Sequence, residues 1–113
     1  MELNVSSRSR DGHVSVIVAG EIDLYTAPRL HSELAAIISS AAPASRVTVD
    51  MSGVDFCDST GMNVLLTSLR QATDRDVEFG LAAPRPAVKK ILQVTGLDSV
   101  FTISAESSTI PGK

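Results

Sequence analysis

The residues with the most chemistry in this 113-residue sequence are a hydroxyl-rich turn, Asp58-Ser59-Thr60-Gly61. A serine there could attack as a nucleophile, cap a helix, or be acted upon by another protein. Attack needs a neighbouring base. The elbow Gly-x-Ser-x-Gly is absent, and nothing in the sequence brings His13 or His31 beside Ser59, so a serine hydrolase is disfavoured. Capping alone would explain Asp58, Ser59 and Thr60, whose side chains accept hydrogen bonds from the free amides of a first helical turn. Gly61 fits capping less well, because a glycine inside a helix costs roughly 0.5–1 kcal/mol against alanine. Its expected purpose is to remove bulk beside the hydroxyls, so that a partner's backbone or a bound nucleotide phosphate can approach Ser59.

The elements that must position this turn lie on either side of it. Val47, Val49 and Met51 alternate with Thr48 and Asp50, the period of a strand with one face more buried. Ser52-Gly53 reads as a turn, followed by a short apolar return through Val54 and Phe56. Met62, Leu65, Leu66 and Leu69 then recur at the spacing of one helical face, so a helix starts between Asp58 and Gly61.

The rest of the chain reads as alternating strands and helices. Leu3 and Val5 precede Asp11-Gly12, a hairpin signal, and Val14, Val16 and Val18 form the returning strand. His13 is then a solvated turn residue. Gly20-Glu21-Ile22-Asp23 ends that strand, and a helix follows with Thr26 as N-cap, Pro28 near its first position, and Leu30, Leu34, Ile37 and Ile38 inward. Residues 39–45 form a linker or frayed helix end. After the polar turn Asp74-Arg75-Asp76, Val77, Phe79 and Leu81 alternate as another strand. Pro84 and Pro86 bracket a helix start; Val88, Ile91, Leu92 and Thr95 line one face and Gly96 terminates it. Arg85, Lys89 and Lys90 read as a solvated basic face in preference to an anion patch. Residues 100–103 form a last short strand or an apolar cover, and the polar tail 106–113 is expected to be disordered. An initial hairpin followed by alternation predicts one α/β domain over residues 1–105, with a mixed sheet of four to five strands covered by three to four helices.

Composition excludes several functions. Ten basic against thirteen acidic residues give a net charge of −3, and the basic residues are scattered, which disfavours nucleic acid as a partner. No apolar run is long enough to span a bilayer, and MELNVSSRSR lacks the pattern of a signal peptide, so a soluble, cytoplasmic protein is expected. The single cysteine, Cys57, cannot form an internal disulfide and reads as a small buried residue; two distant histidines give no metal constellation. Without a base, metal or cofactor loop, no enzyme and no cofactor are expected.

Two motifs resemble those of the stand-alone STAS domains, most closely the bacterial anti-sigma factor antagonists. They are Gly20-Glu21-Ile22-Asp23-Leu24-Tyr25-Thr26-Ala27-Pro28 with Leu30, and Asp50-Met51-Ser52-Gly53-Val54-Asp55-Phe56-Cys57-Asp58-Ser59-Thr60-Gly61. A weaker third piece runs from Ile91 to Leu97, with Phe101 and Ile103 after it. The resemblance covers nearly all of the chain except the tail. It implies a partner switch: the unphosphorylated protein binds an anti-sigma factor that is also an ATP-dependent serine kinase, releasing a sigma factor, and phosphorylation breaks the complex. By motif position the phosphorylated residue is Ser59, with Thr60 less favoured. Asp23 matches an aspartate near the phosphosite that aids the kinase interaction, and Asp58, Thr60, Gly61, Met62 and Asn63 complete the contact surface. A serine phosphatase would reset the switch, and the chain would be a monomer or weak homodimer. Met62, Asn63 and Cys57 depart from the commoner residues, and the bulk of Asn63 bears on partner choice. The alternative is a STAS accessory subunit of a membrane transporter or signalling scaffold, with Ser59 never phosphorylated.

Overall fold

The computed structural model describes residues 2–105 of the chain; the tail expected to be disordered lies outside them. In chain order the elements are β1 (Leu3–Arg10), β2 (His13–Ile22), α1 (Ala27–Ser40), β3 (Arg46–Cys57), α2 (Ser59–Asp74), β4 (Glu78–Ala82), α3 (Pro86–Val94), a 3-10 turn (Leu97–Ser99) and β5 (Thr102–Ser104). The strands form one sheet in the order β1-β2-β3-β4-β5, with β1 antiparallel to β2 and the other neighbours parallel. The predicted α/β class and mixed sheet are therefore observed.

Each expected hydrophobic pattern finds a place in this frame. Asp11 and Gly12 take φ values of 51° and 82°, the mirror-image turn that matches the twist of two antiparallel strands. Val14 pairs with Val47 and Val16 with Val49, while Val47 and Val49 pair in turn with Phe79 and Leu81. Alternation puts these side chains on one face of the sheet, where they join Leu30, Leu34, Ile38 and Leu65 in a continuous core. Burial of each such side chain contributes about 1.5–3 kcal/mol, so the helix axes, and hence where the helices begin, are tied to the sheet.

The structure corrects several readings. Ser52-Gly53 is not a turn: β3 runs unbroken from Arg46 to Cys57. It holds more residues than the facing part of β2, because the register moves from Ile17 opposite Asp50 to Ala19 opposite Gly53, and again from Gly20 opposite Val54 to Glu21 opposite Phe56. These are two bulges. Asp50 fastens the first, its Oδ1 accepting from the Ser52 N–H at 2.9 Å and the Ser52 hydroxyl at 2.7 Å. Gly53 is needed there, since a Cβ would come within 2.9 Å of the Ala19 Cβ. The alternation of β3 is shallow, for as the central strand it buries Thr48 and Asp50 nearly as fully as Val47, Val49 and Met51.

His13 is not a solvated turn residue either. It is the half-buried first residue of β2, with Nε2 3.1 Å from Thr48 Oγ1, and burial together with the Arg46 charge lowers its pKa. Thr95 caps the end of α3 instead of facing the core, its hydroxyl donating to the Ile91 carbonyl at 2.7 Å. The inward face of α2 is formed by Gly61, Val64, Leu65, Ser68 and Ala72, with Met62 beside it, whereas Leu66 and Leu69 are only partly buried. Small residues on that face let α2 lie close to α1 and the sheet.

Candidate functional site

Ser59 lies where two parallel strands end. Ile22 closes β2 opposite Cys57, which closes β3, and the Asp58 N–H donates to the Ile22 carbonyl at 3.1 Å. The chain after β2 and the chain after β3 therefore emerge side by side, at the carboxyl ends of the strands where open α/β sheets place their functional loops. The chain after β3 enters α2 within one residue, and the chain after β2 enters α1 after the short loop 23–26.

The β3 exit is built around Asp58. Its extended backbone (φ −90°, ψ −172°) makes it the N-cap of α2, and its Oδ1 accepts from the Gly61 N–H at 3.1 Å. Ser59 is the first helical residue and is exposed; Thr60, next, is half-buried. A charge added at Ser59 would thus sit at a helix N-terminus, facing the free amides and the positive end of the macrodipole.

Gly61 acts differently from the expectation. It is buried, and a Cβ on it would come within 2.5 Å of Ile22 Cγ2 and 2.6 Å of Cys57 Sγ. The missing side chain lets the helix start close down on the strand ends and does not open a path to the hydroxyls. Cys57 is the floor of this contact. Burial, with the Asp58 charge adding to it, pushes its thiol up to about 12, so it is not a reactive thiolate.

The β2 exit is held by Asp23 and Thr26. Asp23 Oδ1 accepts from the Tyr25 N–H at 2.9 Å and the Thr26 N–H at 3.0 Å. Thr26 occupies the N-cap position of α1, but its side chain does not cap that helix; its hydroxyl donates to the Glu21 carbonyl at 2.8 Å and accepts from the Asp23 N–H at 2.9 Å. Asp23 instead holds the amides of the turn that leads into α1. It is 7% exposed, and its Oδ2 is buried with no hydrogen-bond partner.

Of the residues expected at a contact surface, Ser59 and Asn63 are exposed, Asp58 and Thr60 half-buried, and Asp23, Gly61 and Met62 buried. The sequence reading missed the large apolar side chains at this end of the sheet: Leu24 (63% exposed), Tyr25 (81%) and Phe56 (48%). Leu24 and Tyr25 fall between a strand end and a helix cap, outside both periodic patterns. Arg85, at the start of α3, is not simply solvated: its Nη1 donates to the Asp55 carboxylate and draws the β4–α3 connection to the same end of β3.

Chemistry of a pocket does not fit this place. An open groove of about 810 Å³ lies near the opposite ends of β3 and β4, lined by Arg46, Thr48, Glu78, Gly80 and Thr102 among others, and it holds none of the site residues. His13 sits at the far end of β2 from Ile22, about 30 Å along the strand. Among the described residues no group of three or more His, Cys, Asp or Glu could hold a metal ion, and no helix is long and apolar enough to cross a membrane.

Comparison with known proteins places this geometry. An anti-sigma factor antagonist from Mycobacterium paratuberculosis superposes with a TM-score of 0.81 at 30% identity, over 91% of this chain and 86% of that one. The anti-sigma-B factor antagonist of Listeria monocytogenes is 28% identical over 104 residues, 91% of this chain and 90% of its own length. The Bacillus cell fate determinant SpoIIAA, solved unphosphorylated and phosphorylated, shares the fold at TM-scores of 0.74 and 0.68, with 20% and 19% identity, over 88% of this chain and 87% and 90% of those chains. Residues 5–103 match the family model described as Mlab, STAS domain, and the chain belongs to the STAS domain family.

Proposed function

We propose that this protein is an anti-sigma factor antagonist: unphosphorylated, it binds an anti-sigma factor that is also a serine kinase and so frees a sigma factor, and phosphorylation of Ser59 ends that binding. The observation that carries the reading is Ser59 itself, exposed as the first residue of α2 on a surface fixed by Asp58 and by the adjoining Asp23 loop. The relatives from Mycobacterium paratuberculosis and Listeria, both antagonists by name, and the two forms of SpoIIAA support it. A kinase needs a hydroxyl it can reach without unfolding its substrate, and Ser59 meets that need better than half-buried Thr60.

Phosphorylation adds about −1.5 to −2 charge and three strong acceptor oxygens. Against a partner's surface that group must be desolvated beside Asp58, a cost of about 3–4 kcal/mol unless a basic pocket receives it. Affinity then falls by roughly two to three orders of magnitude. A serine phosphatase reverses the change. His13 is remote and Cys57 is protonated, so neither activates Ser59, and in this reading the chemistry belongs to the partner.

The test incubates the purified protein with purified anti-sigma-factor kinases of the same genome and ATP, maps the phosphate, and measures binding. Ser59→Ala should bind and resist phosphorylation, and Ser59→Asp should bind at least about a hundredfold more weakly. Phosphate on Thr60 would move the site by one residue; absence of both binding and phosphorylation would overturn the reading.

A further inference from the structure

Leu24 and Tyr25 leave their apolar side chains largely in water on the loop that adjoins the Ser59 turn. Single exposed apolar side chains are ordinary. Two in succession on a fixed loop are less so. The backbone through them is held by the Tyr25 and Thr26 N–H groups on Asp23 Oδ1, by the Asp23 N–H on Thr26 Oγ1, by the Thr26 hydroxyl on the Glu21 carbonyl, and by the Ala27 N–H on the Asp23 carbonyl at 2.8 Å. None of these bonds uses the side chain of Leu24 or Tyr25. Both residues are also absent from the hydrophobic core. The loop is thus rigid where its two apolar side chains are free.

We propose that Leu24 and Tyr25 are the apolar anchor by which the protein grips its anti-sigma-factor partner, with Tyr25 entering an apolar pocket rimmed by Lys or Arg side chains. The proposal rests on the antagonist reading above. Charge argues for the partner's chemistry: Glu21 and Asp58 are half-buried at this end of the sheet, while the exposed Asp55 is already paired with Arg85, so a partner must meet an apolar centre with Glu21 and Asp58 at its border. A tyrosine with few rotatable bonds on a pre-ordered loop loses little freedom on binding, which is the property of residues that dominate interface energies. Ser59 stands next to this loop through the Asp58-to-Ile22 hydrogen bond. A strongly hydrated phosphate there would hold water at the edge of the anchor, where its exclusion matters most. The anchor thus explains how a group at the rim of the contact governs the whole of it.

Val94, 76% exposed, supplies the control, because it offers similar apolar surface at the last residue of α3. Calorimetric titration without ATP, against the kinase found to phosphorylate Ser59, would compare wild type with Tyr25→Ala, Leu24→Ala, Tyr25→Phe and Val94→Ala. The circular dichroism of each variant is recorded beside it. Expected is a loss of tenfold or more for Tyr25→Ala, a smaller loss for Leu24→Ala, and less than threefold change for Tyr25→Phe and Val94→Ala. Tyr25→Ala binding within tenfold of wild type, with wild type binding normally, would overturn the anchor and leave the antagonist reading standing. If wild type neither binds nor is phosphorylated by any such kinase, the antagonist reading falls and the anchor with it.

Discussion

Asp23 serves the surface without being part of it. A carboxylate that is 7% exposed cannot be a broad contact, yet it fixes the amides of Tyr25 and Thr26, so in the proposed function its influence on a partner would pass through the loop it orders. The loop amides bond to Oδ1 alone, and the buried Oδ2 has no hydrogen-bond partner, so the loop needs one acceptor oxygen at this position. Asp23→Asn keeps an oxygen for the two amides, and its stability should lie within about 1 kcal/mol of wild type. Asp23→Ala strands both N–H groups and should cost about 1–3 kcal/mol. Urea unfolding followed by circular dichroism separates the two. Binding carries the same distinction: a positioning role predicts near-normal affinity for Asp23→Asn and loss for Asp23→Ala, whereas direct charge contact predicts loss in both. The sequence marks Asp23 as the end of a strand, but its burial depends on the Thr26 hydroxyl folding back under it, a contact no periodic pattern encodes. Leu24 and Tyr25 were missed for the related reason that exposed apolar residues break no rule of alternation.

The helix α2 and the strand β3 show where pattern reading succeeds and where it stops. The start of α2 was legible because Asp58 has the chemistry of an N-cap and the apolar spacing begins just after it. The angle of its inward face was not, because Gly61, Ser68 and Ala72 are silent on a hydrophobic count although they let the helix approach. The bulges of β3 escaped similarly: Ser52-Gly53 has the composition of a turn, and only the pairing with β2 shows an extra residue absorbed into a strand. Gly61→Ala tests the packing account. Helix propensity alone predicts a gain of about 0.8–1 kcal/mol. A methyl group 2.5 Å from a branched Ile22 carbon and 2.6 Å from Cys57 sulfur forces the helix start outward, and overpacking of this kind costs about 1–3 kcal/mol. The clash should win, because Ile22 Cγ2 is fixed by its branch point. Net destabilisation of up to about 2 kcal/mol is expected, partly recovered by Cys57→Ala, which removes one of the two close atoms. A stabilised Gly61→Ala protein would mean that the glycine serves approach from outside.

At the scale of the whole molecule, the proposed switch and the fold are kept apart. The hairpin, the alternating elements and the mixed sheet were all legible, because strands and helices of ordinary length carry strong periodic signals and pair with near neighbours. Nothing in that frame depends on the Ser59 side chain, which is exposed and lies beyond the last residue of β3. Added charge meets the amide end of a sixteen-residue helix, a favourable effect of about 0.3–1 kcal/mol, opposed by repulsion from the Asp58 carboxylate that caps the same turn. These terms have opposite sign and similar size. Phosphorylated protein, prepared with the kinase, should therefore melt within about 5 °C of the unphosphorylated form and keep its far-ultraviolet circular dichroism. Over the same change its affinity for the anti-sigma factor should fall by about two to three orders of magnitude. If phosphorylation instead lowered the melting temperature by much more than this, or collapsed the helical signal, the switch would act by unfolding the α2 start, and the rigid surface of Asp58, Ser59 and the Asp23 loop would not be what the partner reads.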